Sequence, residues 1–214
     1  MTTALKRLAI MLITLGMVGM AALYLYTLPA LRRLPKAKEQ SFNSITTIDD
    51  AVRYLRNTGK TGWALVAAAQ KLVNAKMEYS RRNGWDTPAR AFRRGMGYCQ
   101  QQATALLIIL HKLEIEARPV QAFRCQFPAA TIHGYHDPGG ISGHTWLVVT
   151  IDGVEKDVCP GHPENAPGKV HFEALSRKRA YGPVMRLFGH IGSMIINVQR
   201  DNAALQRQAK RAWR

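Results

Sequence analysis

The stretch GMGYCQQQATALLIIL, from Gly95 to Leu110, guides the interpretation of the rest of the chain. Its two glycines allow a tight, non-helical backbone just before Cys99. Good helix formers follow, so we predict a buried helix over about Tyr98–Leu113. In the first turn of such a helix, free backbone N–H groups and the helix dipole lower the pKa of a thiol and can hold an oxyanion. This environment is typical of a nucleophilic cysteine, although a small buried cysteine fits the same pattern.

Length, composition and charge limit the possible classes of protein. The chain has 214 residues and is 47% hydrophobic, which favours one domain with a real core plus an extension. Its net charge is +16, and residues 41–214 keep 24 Lys and Arg against 13 Asp and Glu. Such a balance favours anionic partners, and anionic lipid head groups are the partner we expect. The sequence carries no RNA-binding aromatic signature or helix-turn-helix pattern, so we expect no nucleic-acid partner.

An apolar run of 21 uncharged residues occupies Leu8–Leu28. A helix of about 20 apolar residues crosses a bilayer, whereas a cleaved signal peptide has an apolar core of about 7–15 residues. We therefore predict an uncleaved single-pass membrane anchor with a linker, residues 1–40. The side of the membrane stays open. The basic residues after the run favour a cytoplasmic domain, whereas Lys6 and Arg7 before it resemble a signal anchor that exports the domain.

Hydrophobic spacing and capping signals divide the second domain, residues 41–214, into helices and then strands. The helices precede the cysteine helix, at Ile48–Arg56, Trp63–Tyr79 and Pro88–Arg94. The strands follow it at Ala117–Cys125, His144–Ile151 and Val154–Val158, with a loop over residues 126–143 and a hairpin turn at Asp152-Gly153. The tail is predicted to contain short helices at Phe172–Arg179 and Val184–His190, a strand at Met194–Val198 and a helix at Asp201–Trp213. The fold class is therefore α+β.

The predicted hairpin sets the relation between His144 and Asp157. In a hairpin that turns at Asp152-Gly153, residues whose numbers sum to about 305 face each other. Asp157 then faces Val148 and shares a face of the sheet with His144. The two side chains are still four residues out of step, roughly 13 Å at the usual rise per residue. A bulge or a shorter hairpin would close that distance.

Four segments, in this order, resemble the transglutaminase-like superfamily: GYCQQQA at Gly97–Ala103, LEIEARPV at Leu113–Val120, GHTW at Gly143–Trp146, and Lys156-Asp157. The resemblance covers about residues 50–165, and residues 166–214 form a C-terminal extension. It implies a papain-like core in which N-terminal helices pack on an antiparallel sheet, with a Cys–His–Asp catalytic triad and acyl-transfer chemistry. By position, it implies Cys99 as the nucleophile, His144 as the base and Asp157 as the orienting acid.

The chemistry follows if these three side chains meet. The imidazole takes the thiol proton to form a thiolate–imidazolium pair, and the aspartate fixes the ring tautomer. The thiolate attacks a carboxamide or ester carbonyl, and water or an amine resolves the thioacyl enzyme. Gln100 or Tyr98 could add an oxyanion donor beside the Cys99 N–H, while a capping or solvent-facing role for Gln100 is equally compatible.

The sequence departs from the family pattern at three places. Glu114 stands where the family usually has a glycine, and Thr145 replaces the usual alanine. The loop over residues 126–143 is long and carries His133 and His136. These departures leave the substrate open but retain the triad.

Soft and imidazole side chains suggest a rival metal site. The candidates are Cys125, His133, His136, Cys159 and His162. Their spacing matches no standard zinc module, so we expect no metal and no cofactor. The three cysteines contain no CxxC pair, which argues against a disulfide framework, although Cys125 and Cys159 could face each other on adjacent strands.

Two functions are consistent with these patterns. The first is a membrane-anchored transglutaminase-like cysteine enzyme, a protease, amidase or acyltransferase, that acts on a protein or peptide substrate. The second is a catalytically inactive transglutaminase-like domain that binds proteins at the membrane.

Overall fold

The computed structural model describes residues 3–32, 42, 44–80, 83–132, 135–137, 139–182 and 184–192. Most of the predicted linker lies outside these residues. The strand predicted at Met194–Val198 and the helix predicted at Asp201–Trp213 lie outside them as well.

The chain begins with a long apolar helix, α1 (Thr3–Arg32). Its segment Thr3–Tyr26 has a mean hydropathy of 2.2 and no part buried inside the protein. The helix is therefore long and apolar enough to cross a membrane, as predicted, although a signal sequence near the N-terminus would have the same properties. Near its end, the Tyr24 ring meets the Trp85 ring edge-on, with 5.8 Å between ring centroids.

Among the described residues between 44 and 112, four further helices follow: α2 (Ile48–Asn57), α3 (Gly62–Lys76), α4 (Pro88–Arg94) and α5 (Cys99–Lys112). Thr47 and Asp50 form a capping box on α2, and Thr87 caps α4 ahead of Pro88. The helix predicted to reach Tyr79 ends three residues earlier. Glu78–Tyr79 instead forms a short strand, β1, that pairs in parallel with β2 (Met96–Gly97), just before the cysteine helix.

The remaining strands are β3 (Glu116–Phe127), β4 (Ala130–Ile132), β5 (Tyr135–Asp137), β6 (Gly140–Ile151), β7 (Val154–Val158), β8 (Glu173–Ala174) and β9 (Arg179–Ala180). The main sheet has the order β7-β6-β3-β8, and β9 also pairs with β3. Two predictions were wrong here. Residues 126–143 contain strands rather than a simple loop, and Phe172–Arg179 is not a helix, because its two ends lie against β3 as β8 and β9.

The hairpin between β6 and β7 has the predicted register. Val148 pairs with Asp157 and Leu147 with Val158, so facing residues do sum to 305. Asp152 and Gly153 both have positive φ, 51° and 76°, as a two-residue hairpin turn requires.

The core lies between the helices and one face of this sheet. α5 is buried along nearly its whole length, with Leu106, Ile109 and Leu110 fully enclosed. A second apolar cluster surrounds Trp146 and contains Val120, Ala122, Cys125, Val148, Cys159 and Phe172. The structure is thus a mixed helix and sheet fold, as predicted, and its second cluster contains Trp146 and Cys159, which lie beside the candidate residue His144.

Candidate active site

Cys99 is the first residue of α5, and the turn around it is fixed by local hydrogen bonds. Gln101 accepts a hydrogen bond from the Tyr98 N–H at 3.2 Å. The same side chain donates to the carbonyl oxygens of Asn83 and Asp86, both at 2.8 Å. Cys99 is partly exposed, whereas Cys125 and Cys159 are buried. The helix start therefore presents one partly exposed thiol at the positive end of the helix dipole.

The two predicted oxyanion donors flank Cys99 in sequence, and both are buried. The Tyr98 hydroxyl lies 2.6 Å from Gln100 Oε1 and 3.0 Å from His190 Nδ1. Gln100 Nε2 lies 3.4 Å from the Arg186 carbonyl oxygen and 3.3 Å from His190 Nε2. Both polar groups are thus held by the helical segment 184–192. Their oxyanion role stays a prediction, and it requires this contact with His190 to be exchanged for substrate.

His144 lies on β6 opposite Ala122 of β3, and it is 8% exposed. Its ring is stacked with that of Trp146, with 5.9 Å between centroids, and lies 4.6 Å from the Phe172 ring. Burial, followed by the nearby imidazole of His171, lowers the pKa of His144 from 6.5 to about 3. The imidazole is therefore neutral at physiological pH.

Cys159 is the side chain that the structure places against His144. Its Sγ lies 3.3 Å from His144 Nε2, and the Gly161 N–H donates to the same sulfur at 3.4 Å. Burial raises the pKa of the Cys159 thiol to about 12, so the sulfur is protonated at neutral pH. From the sequence, Cys159 is a candidate only for a metal site or a disulfide. The spacing could have indicated its position, since Cys159 lies two residues beyond Asp157 and, if the strand alternation continues, points to the same face of the sheet.

Asp157 lies beside Trp146 rather than beside the imidazole. Its Oδ1 accepts a hydrogen bond from Trp146 Nε1 at 2.9 Å, and its Oδ2 accepts one from Lys178 Nζ at 2.6 Å. The carboxylate thus reaches His144 through the Trp146 ring that stacks on it. The assignment of Asp157 as the orienting acid stays a prediction, and the geometry gives it an indirect route.

Electrostatic effects and close packing connect the helix start to the sheet. Burial is the main cause of the raised pKa of both Cys159 and Tyr181, and the nearby Cys99 raises it further. At Gly161, a Cβ would lie 3.4 Å from Cys159 Sγ and 3.8 Å from Gln102 Oε1, so the loop after β7 runs against the first turn of α5. The structure therefore brings Cys99, Cys159 and His144 into one region.

Tyr181 is a second residue of this region that sequence reasoning missed. It is 5% exposed, and its side chain forms a hydrogen bond with Thr145. Burial, followed by Cys99, raises the pKa of its hydroxyl, which stays protonated. Thr145, which departs from the family pattern, thus supplies a partner for a buried tyrosine near the thiol.

The candidate metal ligands do not converge within the residues whose side chains are described. Among them, no group of three or more His, Cys, Asp or Glu side chains could hold a metal ion. His133 lies outside the described residues, as does the side chain of His136. His162 stacks on His171 with 4.7 Å between ring centroids, and Cys125 and Cys159 are thiols within one buried cluster.

The match to a family model agrees with the fold. Residues 49–155 match the family model of the transglutaminase-like superfamily. Two solved structures are similar to the chain. A candidate cysteine protease from Cytophaga hutchinsonii has a TM-score of 0.37 and 16% identity, covering 73% of this chain and 53% of that one. A candidate protease from Parabacteroides distasonis has a TM-score of 0.37 and 13% identity, covering 72% and 30%. The chain thus spans about half and about a third of those two proteins. No curated protein matches the chain significantly.

Proposed function

The chain belongs to the transglutaminase-like superfamily, and on that premise we propose that it is a membrane-anchored cysteine enzyme. Its reaction is acyl transfer or hydrolysis at a carboxamide or peptide bond of a protein or peptide substrate. One observation carries the proposal. The partly exposed thiol of Cys99 begins α5, the first turn of that helix lies against the loop at Gly161, and the sulfur of Cys159 beside that loop is 3.3 Å from His144.

In the first step, Cys99 Sγ attacks the carbonyl carbon while His144 accepts the thiol proton. Because the pKa of His144 is about 3, its imidazole is neutral at rest, and His144 acts as a general base during the attack. The C–N bond then breaks, and the amine leaves with the proton from His144. Water or a second amine, deprotonated by His144, attacks the thioester, and the proton returns to Cys99.

Two further groups support this reaction in the proposal. Asp157 fixes the indole of Trp146, and that indole stacks on the His144 ring, which limits its rotation. The Cys99 N–H at the start of α5 faces the oxyanion, and Gln100 or Tyr98 adds a second donor when substrate displaces His190.

Membrane attachment through residues 8–28 is part of the same proposal. Most large apolar side chains of α1 between Leu5 and Tyr26 are exposed, and the net charge of +16 favours anionic lipid head groups. Alkaline carbonate extraction of native membranes and N-terminal sequencing separate an uncleaved anchor from a signal sequence. An anchored chain stays in the pellet and retains Leu8–Leu28, whereas a released chain without that segment contradicts the proposal.

A second function, an inactive domain that binds proteins at the membrane, is favoured by the environment of His144. Its contact is a neutral thiol rather than a carboxylate, and its pKa is about 3, so it is a weak base. The two functions differ in whether the Cys99 thiol is activated.

The deciding experiment measures the rate of iodoacetamide modification at Cys99 in the full chain, with the modified residue identified by mass spectrometry. His144→Ala should lower that rate at pH 7 by tenfold or more, because the general base is removed. His162→Ala is the matched control, since this histidine stacks on His171 and should leave the rate unchanged. If His144→Ala reacts like the unmodified chain, and the biological activity survives Cys99→Ala, the domain is an inactive binding module.

A further inference from the structure

We propose that Cys159 is the positioning residue of His144 and holds the place beside the imidazole that the sequence assigns to Asp157. This inference rests on the proposed function, since it concerns how the general base is oriented. It assigns a catalytic-site role to a thiol that is too buried to reach a substrate, at 1% exposure.

The contact between the two side chains is enclosed and rigid. His144 is 8% exposed, so little water competes for its Nε2 atom. The backbone of Cys159 is fixed by two side-chain amides, since its carbonyl oxygen accepts hydrogen bonds from Gln70 Nε2 at 3.0 Å and Asn165 Nδ2 at 2.9 Å. Asn74 holds the next residue through the Pro160 carbonyl oxygen at 2.6 Å. A sulfur held in this way can hold the imidazole in turn.

The contact also determines which ring nitrogen does the chemistry. When Nε2–H donates to the Cys159 sulfur, Nδ1 carries the lone pair that accepts the Cys99 proton. A thiol sulfur is a weak acceptor, and here it already receives the Gly161 N–H. It therefore supports a positive imidazolium less than a carboxylate would, and His171 adds further repulsion. Cys159 thus orients His144 while leaving it a weak base.

The test replaces Cys159 in the full chain and follows the rate of iodoacetamide modification at Cys99 from pH 4 to 9. Cys159→Ala removes the contact and should lower the rate about tenfold, the equivalent of one hydrogen bond to a group that becomes charged. Cys159→Ser retains a donor and acceptor and should recover most of the rate. Cys159→Asp should extend the reactivity to lower pH, and the His144 NMR titration should move upward with it.

Cys125→Ala is the matched control, because Cys125 is a fully buried cysteine of the same cluster and lies on β3. Cys125→Ala should leave the pH dependence of the Cys99 modification rate unchanged. Two results would overturn the assignment of Cys159 as the positioning residue. One is an equal change in the Cys99 modification rate in Cys125→Ala and Cys159→Ala, and the other is a pH profile of that rate that no Cys159 variant changes. If His144→Ala leaves Cys99 reactivity unchanged, the proposed function fails. If His144→Ala lowers it and Cys159→Ala does not, this inference alone fails.

A different observation carries a second inference. The helical segment 184–192 directs its polar side towards the domain and its apolar side outward. His190 bonds to Tyr98, and the backbone at Gly189 approaches the Gln100 side chain so closely that a Cβ would lie 2.6 Å from its Oε1. On the other side, Val184, Leu187 and Phe188 are 66%, 56% and 61% exposed. Leu187 and Phe188 follow Val184 by three and four residues, so the three side chains lie on one face of the helix. A helix on a water-soluble surface turns its apolar face inward, whereas this segment turns it outward.

We infer that this apolar face, Val184, Leu187 and Phe188, lies on an anionic lipid bilayer. The segment that carries this face is connected through the domain to the membrane-spanning helix of the proposal. His190 Nδ1 contacts the Gly84 carbonyl oxygen at 2.5 Å, and the following residue, Trp85, packs against Tyr24 of α1. The net positive charge of the sequence that follows fits an anionic bilayer, since residues 193–214 carry five Lys and Arg against one Asp. The inference rests on the proposed membrane attachment and places the first turn of α5 near the lipid surface.

The test uses the full chain in phosphatidylcholine–phosphatidylglycerol vesicles with a photoactivatable diazirine phospholipid, and maps labelled residues by mass spectrometry. Residues 184–192 should be labelled, and the double change Leu187→Asp, Phe188→Asp should reduce that labelling at least fivefold, since carboxylates leave the interface. Val154 is the control. It is 51% exposed beside the turn of the β6–β7 hairpin, at the opposite end of the hairpin from His144, and it should stay unlabelled.

Labelling of α1 without residues 184–192 would overturn this inference and leave the membrane attachment intact. An absence of label in both segments would overturn the two together. Label in 184–192 but not in α1 would support the lipid contact and contradict the anchor. Cross-linking of two chains through residues 184–192 instead of lipid would identify a second copy as the occupant and reject the bilayer.

Discussion

Cys99 and His144 reach the candidate site from two regions that are held in different ways. The start of α5 is fixed by residues close in sequence, since Gln101 bonds to Tyr98 and to the backbone of Asn83 and Asp86. His144 depends on pairing across β3, β6 and β7, and on packing against residues up to Phe172. The nucleophile therefore has a local framework, whereas the base has a long-range one. We expect changes in the sheet region to cost more stability than changes at the helix start.

The largest expected effect is that of Trp146→Ala. This side chain is fully buried and connects Asp157 to His144, so its removal should lower the free energy of unfolding by about 3–5 kcal/mol. Urea unfolding followed by circular dichroism, with the full chain in detergent, measures it. Trp63→Ala is the control, because Trp63 is only partly buried and lies under Lys156. Equal losses for the two variants would contradict the special position of the sheet cluster.

The pH dependence of stability should report the burial of His144. Its pKa is about 3 in the folded protein against 6.5 for an unperturbed histidine. Above pH 6.5 neither state is protonated and the stability is complete. As the pH falls from 6.5 towards 3, only the unfolded state binds the proton, so the free energy of unfolding should fall by about 1.4 kcal/mol per pH unit.

Urea unfolding at pH 7, 6, 5 and 4 measures that slope. His144→Asn should flatten it, while His162→Asn, which removes a histidine that stacks on His171, should leave most of it. A slope that is the same in His144→Asn and in the unmodified chain would show that other groups cause the acid sensitivity.

At the helix start, Gly97→Ala should have a smaller effect. A Cβ at this position would lie 2.7 Å from Met77 Cε and 3.0 Å from Gln101 Cβ. The flexible end of Met77 can move, so we expect a loss of only about 1 kcal/mol. Gly182→Ala is the control, because a Cβ there would meet no atom within 4 Å. If Gly97→Ala lowered the free energy of unfolding as much as Trp146→Ala, the helix start would be as sensitive to change as the sheet region, against our expectation.

The smallest expected effect is a gain in stability from Glu114→Gly. Glu114 follows α5 with φ of 62°, a left-handed conformation that strains any residue except glycine. The change should raise the free energy of unfolding by about 0.5–1 kcal/mol. Asp152→Gly should gain less, since aspartate tolerates the left-handed region in a hairpin turn. A clear loss of stability in Glu114→Gly would mean that the strain is compensated elsewhere.

The locally encoded features were predictable from the sequence. Thr47 and Asp50 form a capping box, and the start of the cysteine helix at Cys99 follows from its glycines and its helix formers. The hairpin register also followed, because an Asp-Gly turn fixes which residues of β6 and β7 face each other. Glu114 adds a physical reason for the glycine that the family usually has at its position.

Features that depend on distant partners were not predictable. Phe172–Arg179 has helical spacing, but β3 offers unpaired backbone groups to both of its ends, and pairing takes precedence. The neighbour of His144 is decided by which of two side chains comes closer, that of Asp157 on β7 or that of Cys159 just after β7. Trp146 and Lys178 hold the Asp157 carboxylate, which leaves Cys159 at the imidazole. A local sequence pattern does not show which of Asp157 and Cys159 lies beside His144, because distant residues decide it.

The unequal exposure of the three thiols also gives the protein a built-in reporter of its orientation. Cys125 and Cys159 are 0% and 1% exposed, whereas Cys99 is partly exposed. A membrane-impermeant maleimide added to intact cells should therefore modify Cys99 when the domain faces outward, and only after lysis when it faces the cytoplasm. The residue proposed as the nucleophile can in this way also answer the question of orientation that the basic residues on both sides of Leu8–Leu28 leave open.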